Sequence, residues 1–411
     1  MGMRSSTPHT AHAATRITAV ALAVLCLLGA PLAGVLITGR KLAPYLEFPP
    51  ATQYVEHPGF SWLVFGSILV PGVVFCLLFY WPSLWLHRAP KNWHAAVDTL
   101  ATEVSGRRRS ASRFRWWGWL GLILIAIWWP IAWTRPEFAE PVNRYTFTPL
   151  WLGLILVLDA LVYWRKGHSM ATRSLSGFLL LFAVSALTWW LFEYLNRFTQ
   201  NWYYSATRTY SPAAYFWSAT PCFSTVLPAV LEMTELYGTC NWLQRRYSAV
   251  VRLPPPGAKM KIVSLLFGVA GLMAAAAIPS VFYPCLWLSP LFVVVPLLSW
   301  ARIETPFTWL ARGDWRAAAA LPVGALSCGF FWEMWNLYSL PKWHYDIPFV
   351  ERFHIFEMPL PGYFGYLPFG WECYCAFALA FALLRLRLFQ RLAPCHGLVR
   401  SADTETLNAD C

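Results

Sequence analysis

Apolar runs of about 18 residues or more recur along this chain, and such runs leave few folds open. In hydrocarbon every backbone N–H and C=O must be satisfied within the segment, so each run reads as a spanning α-helix. Ten segments read this way, near 17–38, 60–86, 117–134, 147–164, 176–198, 218–242, 261–282, 286–301, 317–338 and 366–388. The composition agrees: 57% of residues are hydrophobic and only 13% charged, where soluble domains carry about 25% charged residues. The expected class is an all-α polytopic membrane protein.

The net charge of +12 has a cause in topology. Arg88, Lys91, Arg107, Arg108, Arg109, Arg113 and Arg115 lie in one connection, and Arg245, Arg246, Arg252, Lys259 and Lys261 in another. Arg165, Lys166 and Arg173 fill a third turn, and Arg385, Arg387 and Arg391 follow the last span. With ten spans all of these fall on one side. The positive-inside rule then puts both termini in the cytoplasm, with the chain in an inner (plasma) membrane. The basic runs need no nucleic acid; orientation and anionic lipid account for them. The first run is longer than a signal-peptide core and lacks a clear cleavage site, so it is expected to stay as a span. The partners expected are the bilayer and a lipid-like or small-molecule ligand. Oligomeric state is not legible.

A repeat divides the chain further. Glu193, Asn196, Pro228 and Glu232 recur 140 residues later as Glu333, Asn336, Pro368 and Glu372. A Trp-x-Tyr follows each Glu-Asn pair, at Trp202-Tyr203-Tyr204 and Trp343-His344-Tyr345. Self-similarity at a fixed period marks duplicated structural units. The expected organisation is a two-span unit with a basic loop (1–116), a four-span repeat (117–242), a basic Pro-rich linker (243–260), a second four-span repeat (261–388) and a tail (389–411). With an even number of spans each, the two repeats are parallel and share an axis along the membrane normal.

The same positions carry the candidate chemistry. Ionisable side chains inside spans are costly and mark function by default. Glu193, Glu232, Glu333 and Glu372 are the expected catalytic carboxylates. Each Glu-x-x-Asn places both side chains on one helix face, so Asn196 and Asn336 are expected to orient them. Trp202, Tyr204, Trp343, His344, Tyr345 and Glu357 complete the expected substrate-binding set. The groups are expected to converge on one cavity near the outer face. Pro228 and Pro368 either kink their helices or start them. Carboxylates sharing such a site must be protonated or balanced by a cation. An oxygen set without paired histidines suits a hard divalent ion. Asp159 and Glu304 are assigned to salt bridges with neighbouring Arg and Lys. No P-loop, Gly-x-Ser-x-Gly, His-Glu-x-x-His or Rossmann pattern is present.

Three functions fit. The first is an enzyme on a lipid-like or isoprenoid substrate using carboxylate acid/base chemistry. The second is a cation- or proton-coupled transporter, and the third a non-catalytic scaffold subunit.

Overall fold

The structure, a computed structural model, describes residues 8–50, 52–80, 113–207, 210–248 and 250–384. Residues 87–112 of the expected basic loop and the expected tail (389–411) lie outside these residues.

Eleven principal helices carry the fold: α1 (Pro8–Ile37), α2 (Trp62–Tyr80), α3 (Trp116–Thr134), α4 (Phe147–Lys166), α5 (Leu175–Thr199), α6 (Pro212–Ser224), α7 (Val226–Tyr237), α8 (Ala258–Ala277), α9 (Cys285–Trp300), α10 (Arg316–Asn336) and α11 (Tyr366–Leu384). Among the described residues, seven helices are long and apolar enough to cross a membrane: α1, α2, α3, α4, α5, α8 and α10. Their outer surfaces fit that environment, since Leu63 is 83% and Leu187 73% exposed. Large aliphatic groups turned outward this far suit contact with lipid.

Two expected spans depart from a full-length helix. The 218–242 segment breaks at Thr225 into α6 and α7. Pro221 and Pro228 bracket the break, and each removes a backbone donor. Ser185 of α5 repairs it, donating to Phe223 O at 2.6 Å and accepting from Leu227 N at 2.9 Å. The 286–301 segment forms α9, a helix of 16 residues. At 1.5 Å per residue it is about 24 Å long, short of the roughly 30 Å hydrocarbon core. Pro228 and Pro368 are each the third residue of a helix, α7 and α11. Both therefore open helices and do not kink them.

Helices pack where small residues let backbones approach. Gly121 of α3 faces Gly153 of α4, and a Cβ on Gly121 would sit 2.4 Å from Gly153 O. Gly268 and Gly271 of α8 meet Ser289 of α9 in the same way. Such close contact is the main source of helix association in lipid. α1 lies along α8 and α9, α7 packs on α4, α5 and α10, and α11 packs on α5, α9 and α10. The stretch 250–256 is not helical, and Val250 N and Leu253 N tie it to Gly313 O and Leu310 O.

Beyond α5 and α10 the chain forms two short strands, β1 (Trp202–Tyr204) and β2 (Trp343–Tyr345). They pair antiparallel, with Trp202 opposite Tyr345, Tyr203 opposite His344 and Tyr204 opposite Trp343. α5 can turn into β1 because Gln200 adopts a left-handed conformation, φ 53°, and its N–H bonds Asn196 O at 2.6 Å.

Candidate functional site

The two asparagines hold the ribbon. Asn196 Nδ2 donates to Trp202 O at 2.8 Å, and its Oδ1 accepts from Asn201 N at 2.8 Å. Asn336 Nδ2 donates to Trp343 O at 2.8 Å, and its Oδ1 accepts from Trp343 N at 2.9 Å. Both side chains are 0% exposed.

A strand points successive side chains to opposite faces. The Trp and Tyr of each Trp-x-Tyr therefore share one face, and Tyr203 and His344 share the other. The first face meets the glutamates. Glu193 Oε1 accepts from Tyr204 Oη at 2.6 Å, Trp202 Nε1 at 3.1 Å and Trp189 Nε1 at 3.1 Å. Glu333 Oε1 accepts from Tyr345 Oη at 2.9 Å and Tyr366 Oη at 2.8 Å. Both glutamates are fully buried, and Oε2 of each has no hydrogen-bonding partner among the described residues.

In front of this layer lies a cavity of about 850 Å³, within the range of ligand sites, roughly 300–1,000 Å³. One end is walled by Trp202, Tyr204, Trp343, Tyr345 and Tyr366. The remainder follows α9 past Leu288, Leu291, Phe292, Val295, Pro296 and Ser299, and reaches Thr305, Phe307 and Ala311. α2 contributes Ile68, Gly72 and Phe75 to the same wall. Sequence reasoning missed several polar members, Asn201 and Tyr366 among them. Asn201 lines the cavity with both side-chain amide atoms buried and unpartnered among the described residues. Tyr366 lies 33 residues from Glu333 in sequence, so no spacing rule links them.

The four glutamates are not one cluster. Glu232 of α7 turns toward Asp159 of α4 and its own neighbour Glu235. Glu235 is held by Arg173, at 2.5 and 2.8 Å, and by Lys166 at 3.4 Å. Glu232 and Glu235 are one helical turn apart, so the pull of Arg173 on Glu235 carries Glu232 with it. Asp159 takes Trp117 Nε1 at 3.0 Å and Ala171 N at 3.2 Å, and among the described residues no salt bridge to a basic side chain. Glu304 does pair with Arg312, at 2.6 Å. Glu372 is buried in α11, with both oxygens unpartnered among the described residues. Arg197 is spent on the carbonyls of Pro44, Glu47 and Pro49. Among the described residues no three His, Cys, Asp or Glu side chains gather closely enough to hold a metal ion.

His344 and Glu357 do not line the cavity. Glu357 forms an ion pair with Lys342 and faces His344 Nδ1 at 3.4 Å, and the His344 ring stacks on Tyr203 at 5.3 Å. Burial holds the His344 imidazole below its ordinary range, with Glu357 opposing and Lys342 adding to the shift. Strand alternation puts His344 on the outward face of the ribbon, where Glu357 meets it.

A comparison with known protein families, curated proteins and solved structures finds no match.

Proposed function

We propose that this chain is an inner-membrane enzyme acting on a lipid-like substrate, with the ribbon end of the cavity as its reaction site. One observation carries the reading. A single cavity joins the hydroxyls of Tyr204, Tyr345 and Tyr366, bonded to buried glutamates, to a long apolar stretch beside α9. An amphiphile fits both parts, its polar group at the hydroxyls and its chain along α9. Glu193 and Glu333 would act through the tyrosines as proton acceptors and donors. Glu232 and Glu372, which do not line the cavity, would not take part.

The sidedness and the duplication belong to the same proposal. The turns bearing Arg165, Lys166, Arg173, Arg245 and Arg252 lie at the helix ends away from the ribbon, which supports a cytoplasmic basic end and an outward-facing ribbon. Units 117–242 and 261–388 would be copies about a twofold axis through the ribbon. Supporting this, Tyr203 pairs with its repeat counterpart His344, and the flanking pairs are reciprocal, as in a self-complementary contact.

A second reading, lipid transport, is favoured by the reach of the cavity from the ribbon to the Thr305–Ala311 turn. An ion path is disfavoured, because side chains along α9 offer few oxygens. An untargeted lipid comparison of a deletion strain and its complemented parent tests the enzyme reading. It expects one species to accumulate and another to vanish. An unchanged set of species would overturn it, and a changed leaflet distribution alone would indicate transport.

A further inference from the structure

The geometry points to Tyr366 as the proton-transferring residue of this site, acting with Glu333, so that the two units are not chemically equivalent. The inference rests on the enzyme reading above and goes beyond it by naming the unit, the residue and a hydroxyl-bearing substrate.

At the repeat offset of 140, Trp189 corresponds to Gly329 and Val226 to Tyr366. The two exchanges belong together. In the first unit Trp189, one turn before Glu193 on the same helix, donates its indole N–H to the carboxylate at 3.1 Å. In the second unit that position is Gly329, and an added Cβ would lie 2.5–2.7 Å from three ring carbons of Tyr366. The missing side chain makes room for a phenol arriving from α11, whose hydroxyl reaches Glu333 at 2.8 Å. Each carboxylate thus keeps a donor at this place, but the donor changes from indole to phenol.

That change matters chemically. An indole N–H is a donor only, whereas a phenol both donates and accepts. Glu193 Oε1 takes three donors, and two of them are indoles, which cannot accept a proton in return; only Tyr204 is a phenol. Glu333 Oε1 takes two, and both are phenols. Tyr366 also lines the cavity, so its oxygen lies between Glu333 and a ligand there. The step is a balanced relay. A substrate O–H bond breaks and its proton passes to Tyr366 Oη. The phenol proton crosses to Glu333 Oε1 along the existing hydrogen bond. The substrate is left as an alkoxide and Glu333 as a carboxylic acid, and the reverse sequence returns the proton.

The test is complementation of a deletion strain with full-length variants, read as the ratio of accumulated to consumed lipid. Tyr366→Phe keeps the ring under Gly329 and is expected to lower turnover at least tenfold. Glu333→Gln is expected to match it, and Glu193→Gln to fall clearly short of that loss. The double variant Gly329→Trp with Tyr366→Val rebuilds the first unit's donor arrangement around Glu333. It is expected to keep wild-type thermal stability in detergent and still lose turnover at least tenfold, which a purely structural role for Tyr366 would not produce. Wild-type turnover by Tyr366→Phe, or a Glu193→Gln loss equal to that of Glu333→Gln, would overturn the assignment while leaving the enzyme reading intact. If deletion itself changes no lipid, the enzyme reading fails and this assignment with it.

Discussion

Replacing Asn336 with Ala removes both anchors of β2 and isolates one kind of energy. The side chain holds the N–H and the C=O of a single residue, Trp343, at 2.9 and 2.8 Å. Alanine leaves both backbone groups without a partner. An unmet buried polar group costs roughly 1–3 kcal/mol. Because the ribbon sits at the end of the bundle it can shift toward water, so the lower part of the doubled range applies, about 2–4 kcal/mol. Asn196→Ala strips Trp202 O and Asn201 N and is expected to cost a similar amount. The double variant should lose less than the sum, because β1 and β2 pair with each other and releasing one strand already loosens its partner. Equilibrium unfolding of the purified protein in mixed micelles with increasing SDS measures all three. A loss below about 0.5 kcal/mol for Asn336→Ala, the size of an inconsequential surface change, would refute the view that these asparagines fasten the ribbon.

Arg173→Ala leaves Glu235 as a buried charge with only the more distant Lys166, and is expected to destabilise by about 3–5 kcal/mol in the same assay. Arg312→Ala, which breaks an exposed pair with Glu304, should cost under about 1 kcal/mol. Since folding lowers the His344 pKa, the folded state binds fewer protons there than the unfolded chain. Stability from this group is present above the ordinary value near 6.5 and falls as pH drops through it toward the lower folded value. His344→Gln should flatten that part of the pH-stability curve, measured between pH 5 and 8.

Much of the architecture is legible from residue pattern alone, because lipid enforces helices wherever apolar runs are long. The Glu-x-x-Asn spacing places Glu193 with Asn196, and Glu333 with Asn336, on one face, and in the structure each pair reaches the same strand. The Trp-x-Tyr spacing carried a further signal, since alternate residues of a strand share a face. The same alternation sends His344 outward. Other features were hidden for physical reasons. Glu232 shares a face with Glu235, and the ion pair to Arg173 decides where that face turns. Tyr366 and Asn201 come to the site through tertiary packing, which no local period encodes. The break between α6 and α7 depends on Ser185, a residue of another helix.

On the proposed function one amphiphile lies in the cavity with its chain along α9. Native mass spectrometry of the purified protein tests it directly, comparing wild type with Leu291→Trp, which fills the cavity beside α9. A single lipid class is expected bound to the wild type and lost from the variant, with both proteins equally folded. A wild type that carries no lipid, or a variant that retains the same lipid at the same occupancy, would contradict it.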